Sequence, residues 1–260
     1  MSEKFTVACI QNNATPDVQH NIDFCLRLVR EAAAAGAQLV ATPEYFSGLK
    51  TKDGMFLPST YAENDHPVLA AFTEAARELN VWILLGSIGV TNSDGRISNR
   101  CYMISSSGDL VARYDKIHMF DVDVSATETY RESAGYRPGA EAVLAQTPFG
   151  TIGMTICYDV RFAHLHRSLA KAGAQIITVP AAFSPTTGEA HWEVLLRARA
   201  IETGCFILAP AQTGLHPSTT GQERRTYGHS LAISPWGEVL VDAGEDEGVT
   251  FVDFDLEAVA

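Results

Sequence analysis

The sequence contains one internal repeat, which limits the possible folds more than any other feature. Residues 34–40 read AAGAQLV and are followed by Pro43, and residues 171–177 read KAGAQII and are followed by Pro180 in the same register. Each copy comes after a predicted strand and helix, and right-handed crossovers place the helices of a βαβ unit on one face of its sheet. We therefore expect two βαβ halves whose sheets pack face to face. The predicted fold class is α/β, a four-layer α-β-β-α sandwich of two mixed β-sheets, in a single domain of residues 1–260.

Length, charge and cysteine content exclude several classes of protein. The chain has 260 residues, of which 46% are hydrophobic, enough for one substantial core. Its formal net charge of −12 argues against nucleic acid or an anionic membrane as a partner, because both favour clustered Lys and Arg. The N-terminus does not resemble a signal peptide, and no apolar run approaches the roughly 20 residues that span a bilayer. We expect a cytoplasmic protein with reduced cysteines, which form no C-x-x-C pair: Cys9, Cys25, Cys101, Cys157 and Cys205.

Hydrophobic periodicity and turn residues predict most of the secondary structure. Strands are predicted at 5–10, 38–41, 81–90, 98–104, 110–114, 152–156, 174–179, 205–211, 227–234, 238–242 and 248–255. Helices are predicted at 21–35, 66–80, 160–172 and 192–202. The segments predicted to be loops are 60–64, 121–138, 183–190 and 213–225. A long irregular loop inside a compact domain is more often functional than idle, which directs attention to 121–138.

Cys157 is predicted to lie at the corner between strand 152–156 and helix 160–172, with Asp159 as the N-cap of that helix. At such a corner, unpaired N–H groups and the helix dipole favour a thiolate and stabilise a developing oxyanion. The alternative is that Cys157 is only a small buried apolar residue, which is the commoner role of a lone cysteine. A catalytic role therefore needs support from other reactive residues.

Two further motifs place reactive side chains at the ends of predicted strands. Glu44 lies in PEYF and Lys116 in DKIH, and strand ends from two equivalent halves can converge on one cleft. In such a cleft Cys157 would attack a C–N bond, Glu44 would carry the proton, and Lys116 would supply positive charge to the oxyanion. A nearby lysine would also lower the pKa of the thiol. The alternative is a structural ion pair between Glu44 and Lys116.

The motifs P-E-[Y/F], D-K-x-H and C-Y-D-x-R-F, in this order and over nearly the whole chain, resemble those of the nitrilase superfamily of carbon–nitrogen hydrolases. The resemblance implies the α-β-β-α sandwich, no metal or organic cofactor, and homodimers or larger homo-oligomers built on a dimer. It implies that Glu44 is the general base, that Lys116 stabilises the tetrahedral intermediate and that Cys157 forms the acyl-thioester. It further implies that the backbone N–H of Tyr158 binds the oxyanion and that Glu132, in YRES, orients the lysine.

Three later segments resemble one branch of that superfamily, the deaminated-glutathione amidases and omega-amidases: 183–202, 211–214 and 227–230. Enzymes of this branch hydrolyse a terminal or γ-linked amide on a small substrate that carries a free carboxylate. We therefore expect a small-molecule amide as partner and a cation near the nucleophile. Arg161 is the best candidate for this cation, and its alternative role is a helix-surface charge. The residues expected to line the substrate pocket are Tyr45, Phe183, Thr187, His191 and Trp192, although Trp192, Leu195 and Leu196 also fit the core face of helix 192–202.

Other functions remain compatible with the same residues. The triad would also serve an aliphatic nitrilase or an N-carbamoyl amino acid amidohydrolase, and the scaffold could belong to a non-catalytic binding protein. A zinc hydrolase is disfavoured, because His164 and His166 are two positions apart on a predicted helix and cannot face one site. Ala163-His164 replaces the Pro-Glu that usually follows Arg-Phe in this family, which is a departure directly after the nucleophile's motif.

Overall fold

The structure, a computed structural model, describes residues 4–52, 55–125, 128–220 and 223–259. The helices are α1 (Val18–Ala34), α2 (Pro67–Leu79), α3 (Ala163–Lys171) and α4 (Pro185–Thr203). The strands are β1 (Lys4–Gln11), β2 (Leu39–Ala41), β3 (Leu49–Lys52), β4 (Met55–Pro58), β5 (Thr60–Tyr61), β6 (Trp82–Thr91), β7 (Ile97–Ile104), β8 (Leu110–Asp115), β9 (Asp121–Ser125), β10 (Glu128–Arg131), β11 (Val143–Thr147), β12 (Gly150–Met154), β13 (Ile176–Thr178), β14 (Phe206–Ala209), β15 (Thr213–His216), β16 (Ser218–Thr220), β17 (Arg224–Tyr227), β18 (Leu231–Ile233), β19 (Val239–Asp242) and β20 (Gly248–Asp255). None of the helices in the described ranges is long and apolar enough to cross a membrane.

Some predictions made from the sequence include residues outside the described ranges. The single domain predicted for residues 1–260 includes both chain ends, and the predicted loops include 126–127 and 221–222, which lie outside the described residues. The prediction of one domain therefore stays a prediction.

Two large mixed sheets with matching topology form the centre of the molecule. The first has the order β20-β1-β2-β6-β7-β8, with β5 beside β6, and the second has the order β11-β12-β13-β14-β18-β19. In both, the second to fourth strands are parallel and the other neighbouring pairs are antiparallel. The repeats occupy equivalent places, since Gln38 N–H donates to Thr6 O at 2.9 Å and Gln175 N–H donates to Thr151 O at 2.8 Å. The predicted pair of mixed sheets is confirmed.

The alternation of side chains along the strands separates the layers. On β1, Val7 and Cys9 belong to a buried cluster shared with the second sheet, α3 and α4, whereas Ala8 and Ile10 belong to a cluster with α1 and α2. The sheets therefore face each other. Helices α1 and α2 cover the outside of the first sheet, and α3 and α4 cover the outside of the second. This is the order of layers that the repeat predicts.

The helix predicted at 160–172 is wrong at its start. A 3-10 turn, Cys157–Arg161, comes first, and the α-helix begins only at Ala163. Asp159 is therefore not the N-cap of an α-helix. Its side chain instead accepts a hydrogen bond from the N–H of Ile156 at 2.9 Å, inside the 3-10 turn.

Other local predictions are wrong because start signals or distant partners were missed. The helix predicted at 192–202 begins earlier, since Ser184 is the N-cap and Pro185 occupies the first turn, both typical helix-start residues. The loop predicted before it is therefore wrong from Pro185 onwards. The loops predicted at 60–64, 121–138 and 213–225 contain β5, the hairpin β9–β10, and the paired strands β15 and β17.

Three histidines are buried in the fold: His66, His166 and His216 are each at most 3% exposed. Burial lowers the pKa of each imidazole to about 4, because the charged form would lose its hydration. A group whose pKa is lowered by folding stabilises the protein above its unfolded pKa of about 6.5. This stabilisation is lost as the pH falls toward 4.

The free energy of unfolding should therefore decrease between pH 6.5 and pH 4, by up to about 1.4 kcal/mol per pH unit for each buried histidine. Urea titrations at a series of pH values measure this decrease. His166→Asn should make the decrease smaller, whereas His20→Asn, at an exposed position, should leave it unchanged. An identical pH dependence in the two variants would contradict the role given to the buried ring.

Candidate active site

Three strand ends from the two halves meet in one pocket. Glu44 follows β2, Lys116 follows β8 and Cys157 follows β12. Nζ of Lys116 donates to Oε1 of Glu44 at 3.3 Å and to Oε1 and Oε2 of Glu132 at 3.2 and 3.1 Å. All four side chains line the pocket, and each residue is at most 9% exposed. The fold thus brings together the four residues that the sequence predicts for catalysis.

The carboxylate of Glu44 is fixed by donors from several parts of the chain. Its Oε1 accepts a hydrogen bond from Nδ2 of Asn99 at 2.7 Å, and its Oε2 accepts one from the backbone N–H of Ala182 at 2.8 Å. Its backbone carbonyl accepts from Nε2 of Gln212 at 3.1 Å. Ala182 and Gln212 belong to the second half of the chain, so these bonds hold Glu44 in a fixed position relative to that half.

Glu132 reaches the pocket from the segment that was predicted to be irregular. It begins a 3-10 turn, Glu132–Ala134, directly after β10, and its Oε2 accepts from the backbone N–H of Phe120 at 2.6 Å. Burial raises the pKa of Glu132, and although Lys116 opposes this effect, the balance is an increase. Because both carboxylate oxygens contact the ammonium, Glu132 determines where Lys116 points.

In the resting protein Lys116 is charged and Cys157 is protonated. Burial alone lowers the pKa of Lys116, but the charges of Glu132 and Glu44 outweigh it and this pKa lies well above its ordinary value. Burial raises the pKa of the Cys157 thiol well above its ordinary value, and the charge of Glu44 adds to the increase. Lys116 and the N–H of Ala182 lower it by less. Lys116 thus lowers the thiol pKa as predicted, but burial and Glu44 outweigh this effect, and attack by the sulfur requires a base.

The backbone at Cys157 has an uncommon conformation. Its φ of 47° lies in the left-handed region, which few residues other than glycine adopt. Its N–H donates to the carbonyl of Pro180 at 2.9 Å, which ties the turn to the second copy of the repeat. Because α3 begins only at Ala163, the dipole of an α-helix does not act at Cys157, contrary to the prediction. Strained backbone of this kind persists where surrounding contacts fix it, as at functional sites.

Asp159 connects the nucleophile's turn with the chain on both sides of Lys116. Its Oδ2 accepts hydrogen bonds from the hydroxyl of Tyr114 at 2.7 Å and from the N–H of Ile156 at 2.9 Å. Its Oδ1 accepts from the N–H of His118 at 3.1 Å and lies 2.7 Å from Nδ1 of the same residue. The side chain is fully buried. Asp159 is therefore the link that holds the lysine and the nucleophile at a fixed separation.

The rest of the pocket is mostly aromatic and apolar. The cleft contains about 650 Å³ of empty space, a volume that includes the solvent at its mouth. Of the residues predicted to contact substrate, Tyr45, Phe183 and Thr187 line it, together with Tyr158. The lining residues that sequence analysis missed are Met55, Phe56, Phe120, Tyr136, Ala182, Ser184 and Arg224. They lie on short strands and turns without a periodic pattern, so hydrophobic periodicity could not identify them as pocket residues. The one hint in the sequence was a cation, Arg224, in a polar segment.

Arg161 and His191 are not among the described residues that line this pocket. Nη2 of Arg161 lies 3.2 Å from Nδ1 of His191. The guanidinium carbon of Arg161 is 5.8 and 5.6 Å from the ring centroids of Tyr158 and Phe183. Arg161 therefore contacts two rings of the pocket wall without being among the described residues that line the pocket. Trp192 is 1% exposed, which confirms its alternative role in the core.

Asp159→Asn should lower kcat for amide hydrolysis, the reaction expected from the sequence, by roughly 10-fold or more with a smaller change in KM. The amide group leaves at least one buried N–H or O–H without its acceptor, so the free energy of unfolding should also fall by about 1–3 kcal/mol. Steady-state kinetics and urea unfolding measure the two effects. Tyr114→Phe, which removes a single donor, should change both less. A destabilised Asp159→Asn variant with the kcat of the wild type would show that Asp159 only supports the fold.

Comparison with known proteins identifies the family of this chain. A family model described as carbon-nitrogen hydrolase matches residues 6–260. A protein of Yersinia enterocolitica named deaminated glutathione amidase is 47% identical over 79% of this chain and 71% of its own length. Omega-amidase NIT2 of Xenopus tropicalis is 36% identical over 99% of this chain and 91% of its own.

Solved structures agree with the sequence relatives. The crystal structure of the C. elegans NitFhit protein superimposes with a TM-score of 0.86 and 32% identity, and the match covers 99% of this chain. This chain spans 62% of the length of that protein. Together with the family match, this confirms the resemblance carried by the three motifs. The chain belongs to the carbon–nitrogen hydrolase family, and it is a hydrolase that acts on carbon–nitrogen bonds.

Proposed function

We propose that this protein is a cysteine-dependent amidase that cleaves a small, linear, carboxylate-bearing amide through an acyl-thioester. One observation carries the proposal: a buried ammonium, Lys116, contacts two carboxylates in the same pocket as a thiol. A structural ion pair alone has no need of a reactive sulfur beside it, nor of a cleft that opens to solvent. The combination of nucleophile, base and cation is the set that amide hydrolysis requires.

In the acylation half of the reaction, Glu44 removes the proton of the Cys157 thiol as the sulfur attacks the amide carbon. The raised pKa of this thiol makes such a base necessary. The negative charge that develops on the amide oxygen is stabilised by the ammonium of Lys116 and the backbone N–H of Tyr158. Glu44 then gives its proton to the leaving nitrogen, the C–N bond breaks, and ammonia or an amine departs.

In the deacylation half, Glu44 removes a proton from water, and the resulting hydroxide attacks the thioester carbon. A second oxyanion forms at the same place and meets the same donors. The C–S bond breaks, the acid leaves, and the sulfur regains a proton from Glu44. Glu132 acts through Lys116: it contacts the ammonium with both oxygens and so keeps it directed at the oxyanion.

The names of the relatives support a carboxylate-bearing amide as substrate. The Yersinia enterocolitica relative is named for deaminated glutathione and the Xenopus tropicalis relative is an omega-amidase. We further propose that the chain is a homodimer or dimer-based homo-oligomer, which the family resemblance supports. We also propose that it acts in the cytoplasm, which its unpaired cysteines support. A net charge of −12 favours neither nucleic acid nor an anionic membrane as a partner.

Cys157→Ala should lower turnover by about 10³-fold or more, because Cys157 is the one thiol among the described residues that line the pocket. Its free energy of unfolding should stay within about 1.5 kcal/mol of the wild type, since a small buried group is removed. The assay is release of ammonia from deaminated glutathione and α-ketoglutaramate, with simple nitriles and N-carbamoyl amino acids in the same panel. Amidase activity retained by the Cys157→Ala variant would contradict the proposed acyl-thioester mechanism.

The panel also separates the alternatives. Release of carbon dioxide and an amine would identify an N-carbamoyl amidohydrolase, and turnover of nitriles alone would identify a nitrilase. A folded protein that hydrolyses none of these compounds, and whose Cys157 does not react with iodoacetamide, would be a binding protein on this scaffold.

A further inference from the structure

The hydroxyl of Tyr45 is a buried polar group of the catalytic pocket that has no hydrogen-bond partner in the described part of the chain. Tyr45 directly follows Glu44, lines the pocket that contains Cys157 and is 4% exposed. Several buried side-chain oxygens and nitrogens of the described residues lack a partner, and the Tyr45 hydroxyl is the one among them that belongs to a pocket-lining residue. A buried hydroxyl without a partner costs free energy, so its presence in a reactive pocket needs an explanation.

The surroundings of this hydroxyl place it near the two carboxylates of the site. Burial raises the pKa of Tyr45 well above its ordinary value, and the neighbouring Tyr136 adds to the increase. The charges of Glu132 and Glu44 add to it as well, so the phenol is protonated. The hydroxyl of Tyr136 donates to the carbonyl of Phe56 at 3.4 Å and forms no hydrogen bond of ordinary geometry with Tyr45. The Tyr45 hydroxyl is therefore able to bind a reacting molecule.

The backbone of Tyr45 is held in an uncommon conformation. Its φ of 53° lies in the left-handed region, which few residues other than glycine adopt. Its N–H donates to Oγ of Ser87 at 3.1 Å, and its carbonyl accepts from the N–H of Gly48 at 3.2 Å. Among the described residues that line the pocket, Cys157 is the other one with this conformation. Strained backbone of this kind is concentrated at functional sites, which supports a role for the Tyr45 side chain in the reaction.

The two carboxylates determine what kind of group this hydroxyl binds. Negative charge on Glu44 and Glu132 repels an anion and favours a group that donates hydrogen bonds. The reaction of a linear amide provides two such groups in turn, the leaving nitrogen and then the water that attacks the thioester. Both approach Glu44, which exchanges a proton with each. The nitrogen is positioned by its covalent bond to the substrate, whereas the water is positioned by hydrogen bonds alone, so the hydroxyl matters most for the water.

We propose that the Tyr45 hydroxyl holds the hydrolytic water and that Tyr45 is a catalytic residue of deacylation in addition to Glu44. The proposal rests on the amidase function proposed above. One O–H of the water donates to Glu44, which takes this proton as the water oxygen attacks the thioester carbon. The other O–H donates to the phenol oxygen of Tyr45 and stays intact. The C–S bond then breaks and the sulfur regains a proton from Glu44, so Tyr45 orients the water without exchanging a proton.

The test isolates deacylation by making acylation fast. The p-nitrophenyl monoester of glutaric acid forms the same glutaryl-thioester as glutaramate, but its leaving group needs no proton. Nitrophenol should therefore appear in a burst, and the steady rate that follows measures deacylation. Tyr45→Phe should keep the burst and lower this steady rate about 10-fold or more. It should change kcat/KM for glutaramate, which reports the steps up to release of ammonia, by less than about threefold.

Tyr136→Phe is the comparison variant, because it removes a phenol hydroxyl of the same pocket that has a partner in the fold. This variant should change the steady rate less than Tyr45→Phe does. A steady rate of the wild-type value in Tyr45→Phe, or an equal loss in kcat/KM for glutaramate, would overturn the role of Tyr45 and leave the amidase function intact. Absence of both the burst and amide turnover in the wild type would instead overturn the amidase function, and with it the step assigned to Tyr45.

Urea unfolding tests the structural basis of the proposal. Tyr45→Phe should be no less stable than the wild type, because the hydroxyl that it removes has no partner in the described part of the chain. A variant that unfolds at lower urea concentration would show that the hydroxyl supports the fold, and this result would also overturn the proposal.

Discussion

A single buried lysine, shared by two carboxylates, is the interaction on which the site depends. Moving an ion out of water costs several kcal/mol, and only close contacts offset this cost. Lys116 contacts Glu44 at 3.3 Å and Glu132 at 3.1 Å. Each carboxylate also accepts a backbone N–H, from Ala182 and Phe120 respectively. These donors come from both halves of the sandwich, so the charged cluster is satisfied only when the two halves are docked correctly.

The two copies of the internal repeat have the same backbone arrangement, but the residues at their equivalent positions have different roles. Glu44 lies one position after the first proline of the repeat, and Ala181 takes the corresponding place after Pro180. The next residue, Ala182, donates its N–H to Glu44, and the carbonyl of Pro180 accepts the N–H of Cys157. The first copy therefore contributes the base, and the second fixes both the base and the nucleophile. Face-to-face packing of equivalent sheets is what brings these unlike groups together.

Features that are periodic or repeated can be predicted from this sequence, and features set by distant partners cannot. The last strand has its predicted range, 248–255, and the two matching sheets follow from the repeat. Asp159 was expected to cap a helix, but Tyr114 and His118, at 45 and 41 residues' separation, bind its carboxylate instead. For Cys157, the neighbouring charges were predicted, whereas burial, which decides the direction of its pKa shift, was considered only as part of the non-catalytic alternative. Three aromatic residues of the pocket wall, Phe56, Phe120 and Tyr136, were missed because they lie on short segments without a periodic pattern.

The covalent step is the central claim, and intact-protein mass spectrometry tests it most directly. The wild type is mixed rapidly with glutaramate and quenched in acid at a series of times, and the protein is then digested to locate any adduct. The account predicts a mass increase equal to one glutaryl group, on the peptide that contains Cys157, and no increase in Cys157→Ala. Turnover with no adduct on Cys157 at any quench time, or with an acyl group on another residue, would contradict it.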